Sequence, residues 1–297
     1  MHAHLDALVT APTLLTQPEH HGLTIMRNVE QGTEDWHNQR RGMVTASVVG
    51  RLISVGYLGA DGYDCPECGA QSGLPCLSKV KKAGESGAPI RTFHGARTEV
   101  ATGNRTDAAQ VFAPATGDDA RGLTLLLAAE RITGHTDPTY MSDDMWRGQE
   151  DEPIAREVYS QHFAPVSTVG FMVRTGPGFT IGYSPDGLIG DDGLIEIKSR
   201  RQKKQLATIL DGQIPAENMA QMQCGLLVSG RAWCDYVSYC GGMRLWVQRV
   251  TPDPRWFAAI TAAAQAFEEA AIEMAATYQE ATQGMPDTER PDLEMSI

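Results

Sequence analysis

Apolar positions recur with two different periods along this 297-residue chain. From Gly32 to Ile53 the spacing is helical: Trp36 and Arg40 stand four apart, and Thr45-Ala46-Ser47 is a helix-start signal ahead of Val48, Val49, Leu52 and Ile53. The same period marks residues 123–132 and 144–162, where Pro153 has to sit in the first turn or bend the helix. The period then shortens to two. Strands are expected at 171–174, 179–183, 187–190 and 194–198, then a helix at 216–228 and strands near 233–239 and 245–250. Residues 256–283 predict a long Ala-rich helix with Phe257, Ile260, Ala264 and Phe267 on one side. Strands interleaved with helices predict an α/β domain, a mixed sheet flanked by helices.

The remaining stretches lack period. Residues 1–29 carry Pro12, Pro18 and several histidines and are expected to be a loose leader; 56–98 are broken by Gly, Pro and Cys and read as an insertion. Residues 99–121, rich in Ala, Gly and Asp, are expected to be a mobile linker, and 284–297 a disordered polar tail, which leaves 30–55 and 122–283 as the core. With 42% hydrophobic residues the chain can bury one large core and a small accessory module. No apolar run reaches membrane-spanning length and residues 1–19 lack a secretory layout, so no membrane association and a cytoplasmic location are expected.

The formal charge of −12 excludes a surface that is basic all over, but a nucleic-acid enzyme needs only a local positive groove. Two clusters offer one: Lys198, Arg200, Arg201, Lys203 and Lys204, and Lys79, Lys81, Lys82, Arg91 and Arg97. Each can equally be a solvated face. Of the six cysteines, Cys65, Cys68 and Cys76 lie close together, while Cys224, Cys234 and Cys240 stand in apolar or strand-like sequence, a pattern that favours a metal and buried thiols over disulfides.

The densest chemistry lies in Ser184-Pro185-Asp186-Gly187, Asp191-Asp192-Gly193 and Leu194-Ile195-Glu196-Ile197-Lys198. Asp-Gly between apolar runs signals a hairpin. With Gly190 and Leu194 flanking the turn, Leu188 falls opposite Glu196 and Asp186 opposite Lys198. Side chains two apart share a face, so Asp186, Glu196 and Lys198 converge while Ile195 and Ile197 point away. Hydrolysis of a phosphodiester requires an activated water and stabilisation of an anionic transition state. Asp186 and Glu196 are suitable Mg²⁺ (or Mn²⁺) ligands, the Ile197 carbonyl is a further oxygen donor, and Lys198 can orient or help deprotonate the water. Taken singly these residues read as an exposed strand pair and a turn aspartate; the spaced triad on one amphipathic hairpin favours a site.

These residues, with three other blocks, resemble the lambda exonuclease and YqaJ-type viral recombinase family of PD-(D/E)xK nucleases. The blocks are Glu30-Gln31-Gly32 through Trp36, Arg40 and Thr45-Ala46-Ser47; Gly148 through Glu152, Ala155 and Arg156; the hairpin; and Met219-Ala220-Gln221-Met222-Gln223. The likeness spans 30–54 and 123–250. It implies a restriction-endonuclease-like core and a phage-encoded deoxyribonuclease that trims duplex DNA ends from 5′ to 3′. It further implies a ring-shaped homotrimer and a single-strand annealing protein as partner. Residue by residue, it implies that Glu152 is another acid at the metal site, that Gln221 lies beside the catalytic groups, and that Arg40 and Ser47 hold the terminal 5′-phosphate. Without it Glu152 is a helix-dipole residue and Gln221 a surface one. Asn218 and Met219 stand where relatives often carry an aromatic. The other readings are an endonuclease or repair nuclease of other polarity on the same core, and a non-catalytic DNA-binding module, against which the intact acids and lysine weigh.

In the insertion, Cys65-Pro66-Glu67-Cys68 is a CxxC knuckle, Cys76 follows and His94 closes the span. Three thiolates and an imidazole make a closed tetrahedral site for structural zinc, which a stretch so poor in apolar residues needs in order to fold. The alternatives are a metal-free loop or another fourth ligand. The stretch also resembles small Cys-Cys-Cys-His ribbons of actinobacterial and phage proteins that end in His94 and Arg97. Its cations allow an auxiliary DNA contact or a protein-docking role.

Overall fold

The computed structural model describes residues 18–20, 22–80, 87–106, 109–138 and 140–290. In chain order it contains β1 (Pro18–His20), β2 (Leu23–Met26), α1 (Glu34–Arg40), β3 (Val44–Thr45), a 3-10 turn (Val49–Leu52) and β4 (Ile53–Tyr57). A second 3-10 turn (Ala60–Gly62), α2 (Gly95–Gly103), β5 (Gln110–Pro114), α3 (Asp118–Thr133), α4 (Asp143–His162), β6 (Phe171–Gly176) and β7 (Phe179–Tyr183) follow. The chain continues through β8 (Gly187–Ile189), β9 (Gly193–Ser199), α5 (Gln202–Asp211), α6 (Met219–Ser229), β10 (Trp233–Tyr239), β11 (Trp246–Val250) and α7 (Pro254–Ala281). These elements form two compact units, the described residues of Met1–Leu52 with Thr116–Ile297, and Ile53–Ala115.

The larger unit holds a five-stranded sheet in the order β1-β2-β6-β7-β3 and a four-stranded sheet in the order β11-β10-β9-β8. β9 pairs parallel with β10 and antiparallel with β8, so the second sheet is mixed. Its face carrying Ile195 and Ile197 is covered by Ala155 and Tyr159 of α4, with Ile189 and Val237 completing a buried cluster. Pro153 lies in the middle of α4, not in its first turn, and its nitrogen offers no hydrogen to the carbonyl one turn back. Ser142 caps the helix by accepting from the Met145 N–H at 3.2 Å. α7 starts with Pro254 behind the cap Asp253 and buries Trp256, Ile260, Ala263, Ala264, Phe267 and Ala271, so its apolar stripe runs through Trp256 rather than Phe257.

Several segments differ from the pattern reading. Residues 23–26, expected in a loose leader, pair with β6, and Leu23 and Met26 are buried, Met26 against Phe171 and Val173; residues 1–17 lie outside the described residues. Thr45-Ala46-Ser47 does not begin an α-helix: Val44 and Thr45 pair parallel with Ile181 and Gly182, and only one 3-10 turn follows. Fully buried Val44 on a sheet edge outweighs the local helix signal. α5 falls in the basic run; its buried positions are Gln205 and Thr208, so no apolar period announced it. Of the expected tail, residues 285–290 have no regular structure and 291–297 lie outside the described residues.

In the smaller unit β4 and β5 pair antiparallel, Ile53 with Pro114 and Tyr57 with Gln110, so the chain enters and leaves it on neighbouring strands. The expected linker 99–121 thus contains the end of α2, β5 and the start of α3. β5 finds its partner more than fifty residues upstream, which no local pattern reveals. The apolar centre is Cys65, Ala70 and Cys76, with Cys68 and Ile90 against it.

Candidate active site and metal-ligating cluster

The hairpin β8–β9 has Leu188 opposite Leu194 and Ile189 opposite Gly193, displaced by two residues from the expected register. Gly193 belongs to the strand because it lies beneath Trp233, whose ring would stand 2.3 Å from any Cβ there. The loop is therefore Gly190-Asp191-Asp192, with Gly190 at φ +50°. A shift of two preserves the face of every side chain. Asp186 consequently falls beside the Glu196 position instead of Lys198, and the acids and the lysine still converge.

Glu196 is fully buried in the centre of β9. Its Oε1 accepts from Lys198 Nζ at 2.6 Å, and Lys198 also donates to Gln221 Oε1 on α6 at 2.9 Å. Glu196 Oε2 is buried without a hydrogen-bond partner among the described residues. Asp186 Oδ2 accepts the Ile197 N–H at 2.6 Å. The Ile197 carbonyl points to that same side of the strand. Arg156 on α4 donates from Nε to the Asp186 carbonyl at 2.7 Å and from Nη2 to Glu152 Oε1, so one guanidinium ties α4 to the loop before β8.

Burial, and then the nearby Glu196 and Glu152 carboxylates, push Asp186 well above the usual carboxylate range. Burial also raises Glu152, against the pull of Arg156 and with a further push from Glu196. For Lys198, burial lowers the ammonium, but Glu196 and Asp186 outweigh it and the net shift is upward. Two acids whose ionisation burial opposes, beside a third with an orphaned buried oxygen, fit a divalent cation held by oxygen ligands.

Arg40 lies over the Trp36 ring at 3.8 Å and donates to Ser47 Oγ at 3.3 Å and Thr45 Oγ1 at 3.4 Å. Among the described residues no carboxylate lies within ion-pair distance of it. Burial lowers its pKa to about 10 against the opposing field of Glu130, so it stays charged at neutral pH. Trp36 Nε1 donates to Ser184 Oγ at 2.8 Å, which joins this cationic corner to the loop bearing Asp186. The structure thus brings together Glu152, Asp186, Glu196, Lys198 and Gln221, and separately Arg40 and Ser47. Arg156 and Trp36 stood in the family-like blocks without a role; the i,i+4 spacing of Glu152 and Arg156 was the available signal for the first.

The first basic run divides. Lys198 points into the site, Arg200 donates to the Tyr236 hydroxyl at 2.5 Å, Arg201 pairs with Asp144 at 2.7 Å, and Lys203 and Lys204 are exposed on α5. Arg147, Arg200, Arg201 and Lys203 line one groove with Asp151. In the second cluster Lys79 and Arg91 are exposed, while Lys81 and Lys82 lie outside the described residues. Arg97 is fully buried and is no surface cation.

In the smaller unit the ligand atoms of Cys65, Cys68, Cys76 and His94 all lie within 4.8 Å of one another. Cys65 Sγ is 3.4 Å from His94 Nδ1, and His94 Nε2 is 3.4 Å from Glu67 Oε1, which leaves Nδ1 facing the thiols. Cys68 Sγ accepts from the Leu77 N–H, whose contact brings this thiol down to about 6. Three thiols and an imidazole at this spacing are the donor set of a tetrahedral zinc site.

Residues 92–232 match the YqaJ-like viral recombinase domain, a span that includes Glu152, Asp186, Glu196, Lys198 and Gln221. Residues 31–116 match the "Putative DNA-binding phage zinc finger domain", which takes in the metal-ligating cluster and also Arg40 and Ser47. No curated protein matches the chain. Among solved structures, the alkaline exonuclease LHK-Exo of Laribacter hongkongensis is 25% identical, with a TM-score of 0.58 over 86% of this chain and 100% of that one. LHK-Exo in complex with dAMP matches with the same identity and coverage and a TM-score of 0.57. Residues 92–232 thus carry the pattern of a YqaJ-like viral recombinase domain, overlapped at its start by that of a phage zinc-binding domain, and the chain shares the fold of an alkaline exonuclease.

Proposed function

We propose that the chain is a Mg²⁺-dependent (or Mn²⁺-dependent) exonuclease that digests one strand of duplex DNA from its 5′ end. The observation that carries this reading is the unpartnered, buried Glu196 Oε2 among carboxyls whose ionisation burial and mutual repulsion oppose. Glu152, Asp186, Glu196 and the Ile197 carbonyl would hold the cation, which supplies charge stabilisation and lowers the pKa of a bound water. Lys198, fixed between Glu196 and Gln221, orients the attacking water and faces the scissile phosphate with its positive charge. Arg156 holds Glu152 and the Asp186 loop in position. Arg40, stacked on Trp36 and without a carboxylate partner among the described residues, offers its guanidinium with the Ser47 hydroxyl to a terminal 5′-phosphate.

The Cys65, Cys68, Cys76 and His94 cluster holds structural zinc in this reading, and Lys79 and Arg91 offer an auxiliary phosphate contact. A cytoplasmic phage recombination protein, trimeric and working with an annealing partner, is the biological setting that the family resemblance supports. Duplexes labelled at one 5′ or one 3′ end, digested with and without Mg²⁺, test polarity and metal together. Immediate release of the 5′ label as mononucleotide, only with metal, is expected; first release of the 3′ label reverses the polarity and removes the role given to Arg40 and Ser47.

A further inference from the structure

We propose that Arg97 is the built-in countercharge of the zinc centre, its guanidinium cancelling the net charge of the metal-bound ligand set. The inference rests on zinc occupying the Cys65, Cys68, Cys76 and His94 cluster. Arg97 is fully buried at the first turn of α2, three residues after His94. Its guanidinium donates to the carbonyls of Tyr63 at 2.7 Å, Leu74 at 2.8 Å, Gln71 at 3.0 Å and Asp61 at 3.2 Å, and Nη1 lies 3.5 Å from Cys76 Sγ. Among the described residues no carboxylate lies within ion-pair distance of it, and Glu67, the acid beside the cluster, is already paired with Lys79 at 2.6 Å. Arginine keeps its charge under any ordinary condition.

The four carbonyls that hold Arg97 carry no net charge to cancel its own, so the balancing anion has to come from the ligand set beside it. Three thiolates and one neutral imidazole around Zn²⁺ carry a net charge of −1, the sum of +2 and −3, and Arg97 supplies the +1 that cancels it. Direct contact with Cys76 Sγ places the cation against the anionic ligand shell. Because the same guanidinium gathers the carbonyls of residues 61–74, loop shape and charge balance are coupled through one side chain. A merely structural rivet would act through those carbonyls alone and would be indifferent to the charge of the ligand set.

The discriminating experiment measures zinc affinity of the full chain, by competition with a chromophoric chelator, for wild type, Arg97→Gln, Cys68→His and the double variant. Cys68 does not touch Arg97, and a histidine there makes the centre neutral while keeping four ligands; cobalt absorption verifies tetrahedral coordination. Wild-type protein should hold about one zinc per chain, as a single four-ligand site requires. Both single variants should bind more weakly, and the double should lose less than the product of the two by roughly tenfold, the coupling that interacting charges produce. If Arg97→Gln alone fails to fold with zinc, the double should fold again. Strictly multiplicative losses, or a double that stays unfolded where Cys68→His folds, would overturn the countercharge role. Zinc-free wild type would overturn the zinc reading itself, and the proposal with it.

Discussion

Glu196 bears the greatest weight of any single residue, since it is wholly buried, bonded through one oxygen to Lys198 and left unpartnered at the other. Replacing it by Gln, or Lys198 by Ala, should cut DNA cleavage by on the order of a hundredfold or more while DNA binding persists, because both changes remove charge stabilisation of the transition state. Near-normal turnover in both variants would remove the assigned site. The raised carboxyls also set a pH dependence. Asp186 ordinarily titrates at 3.8 and Glu152 at 4.5, and in the fold both hold the proton more tightly. Their contribution to the metal-free fold is therefore complete below those ordinary values and is lost as pH rises through the raised ones. Added Mg²⁺ offsets that loss, so its stabilising shift in melting temperature should be larger at pH 8 than at pH 5. Equal shifts at the two pH values would contradict the linkage.

Among elements, the β8–β9 hairpin shows why the convergence of Asp186, Glu196 and Lys198 was legible although the register was not. The two-residue period alone puts Asp186, Glu196 and Lys198 on one face, and a register error of two leaves that assignment intact. What displaced the register was Trp233 covering Gly193, a contact between strands forty residues apart that no local spacing encodes. Arg156 and Arg97 were opaque for a related reason: their roles consist of bonds to carbonyls brought near by the fold. The helix α5 was hidden because its inner face is polar, Gln205 bonding to the carbonyls of Ser238 and Arg244. For the α1–β3 corner, Arg40→Ala should slow digestion of 5′-phosphorylated ends by roughly tenfold or more relative to 5′-hydroxyl ends, the worth of a charge-assisted bond, and Ser47→Ala should do so more mildly. Equal slowing on both kinds of end would place Arg40 elsewhere in the reaction.

At the scale of the whole molecule, the two proposed metal sites fall in different units, so each can be removed by itself. Cys68→Ser should lower zinc content and open residues 53–115 to protease, because metal binding supplies the folding energy of so small a module, while Mg²⁺-dependent cleavage of short duplexes persists. A metal-free protein whose smaller unit resists protease would contradict this. The central claim is that the buried acids around Glu196 hydrolyse DNA from its ends, and it is tested most directly by measuring nucleotide release from one DNA in linear and covalently closed forms, with Mg²⁺. Wild-type protein should release mononucleotides from the linear duplex alone, and Glu196→Gln should release almost none. Cleavage of the closed circle at a comparable rate, or undiminished release by the variant, would contradict the account.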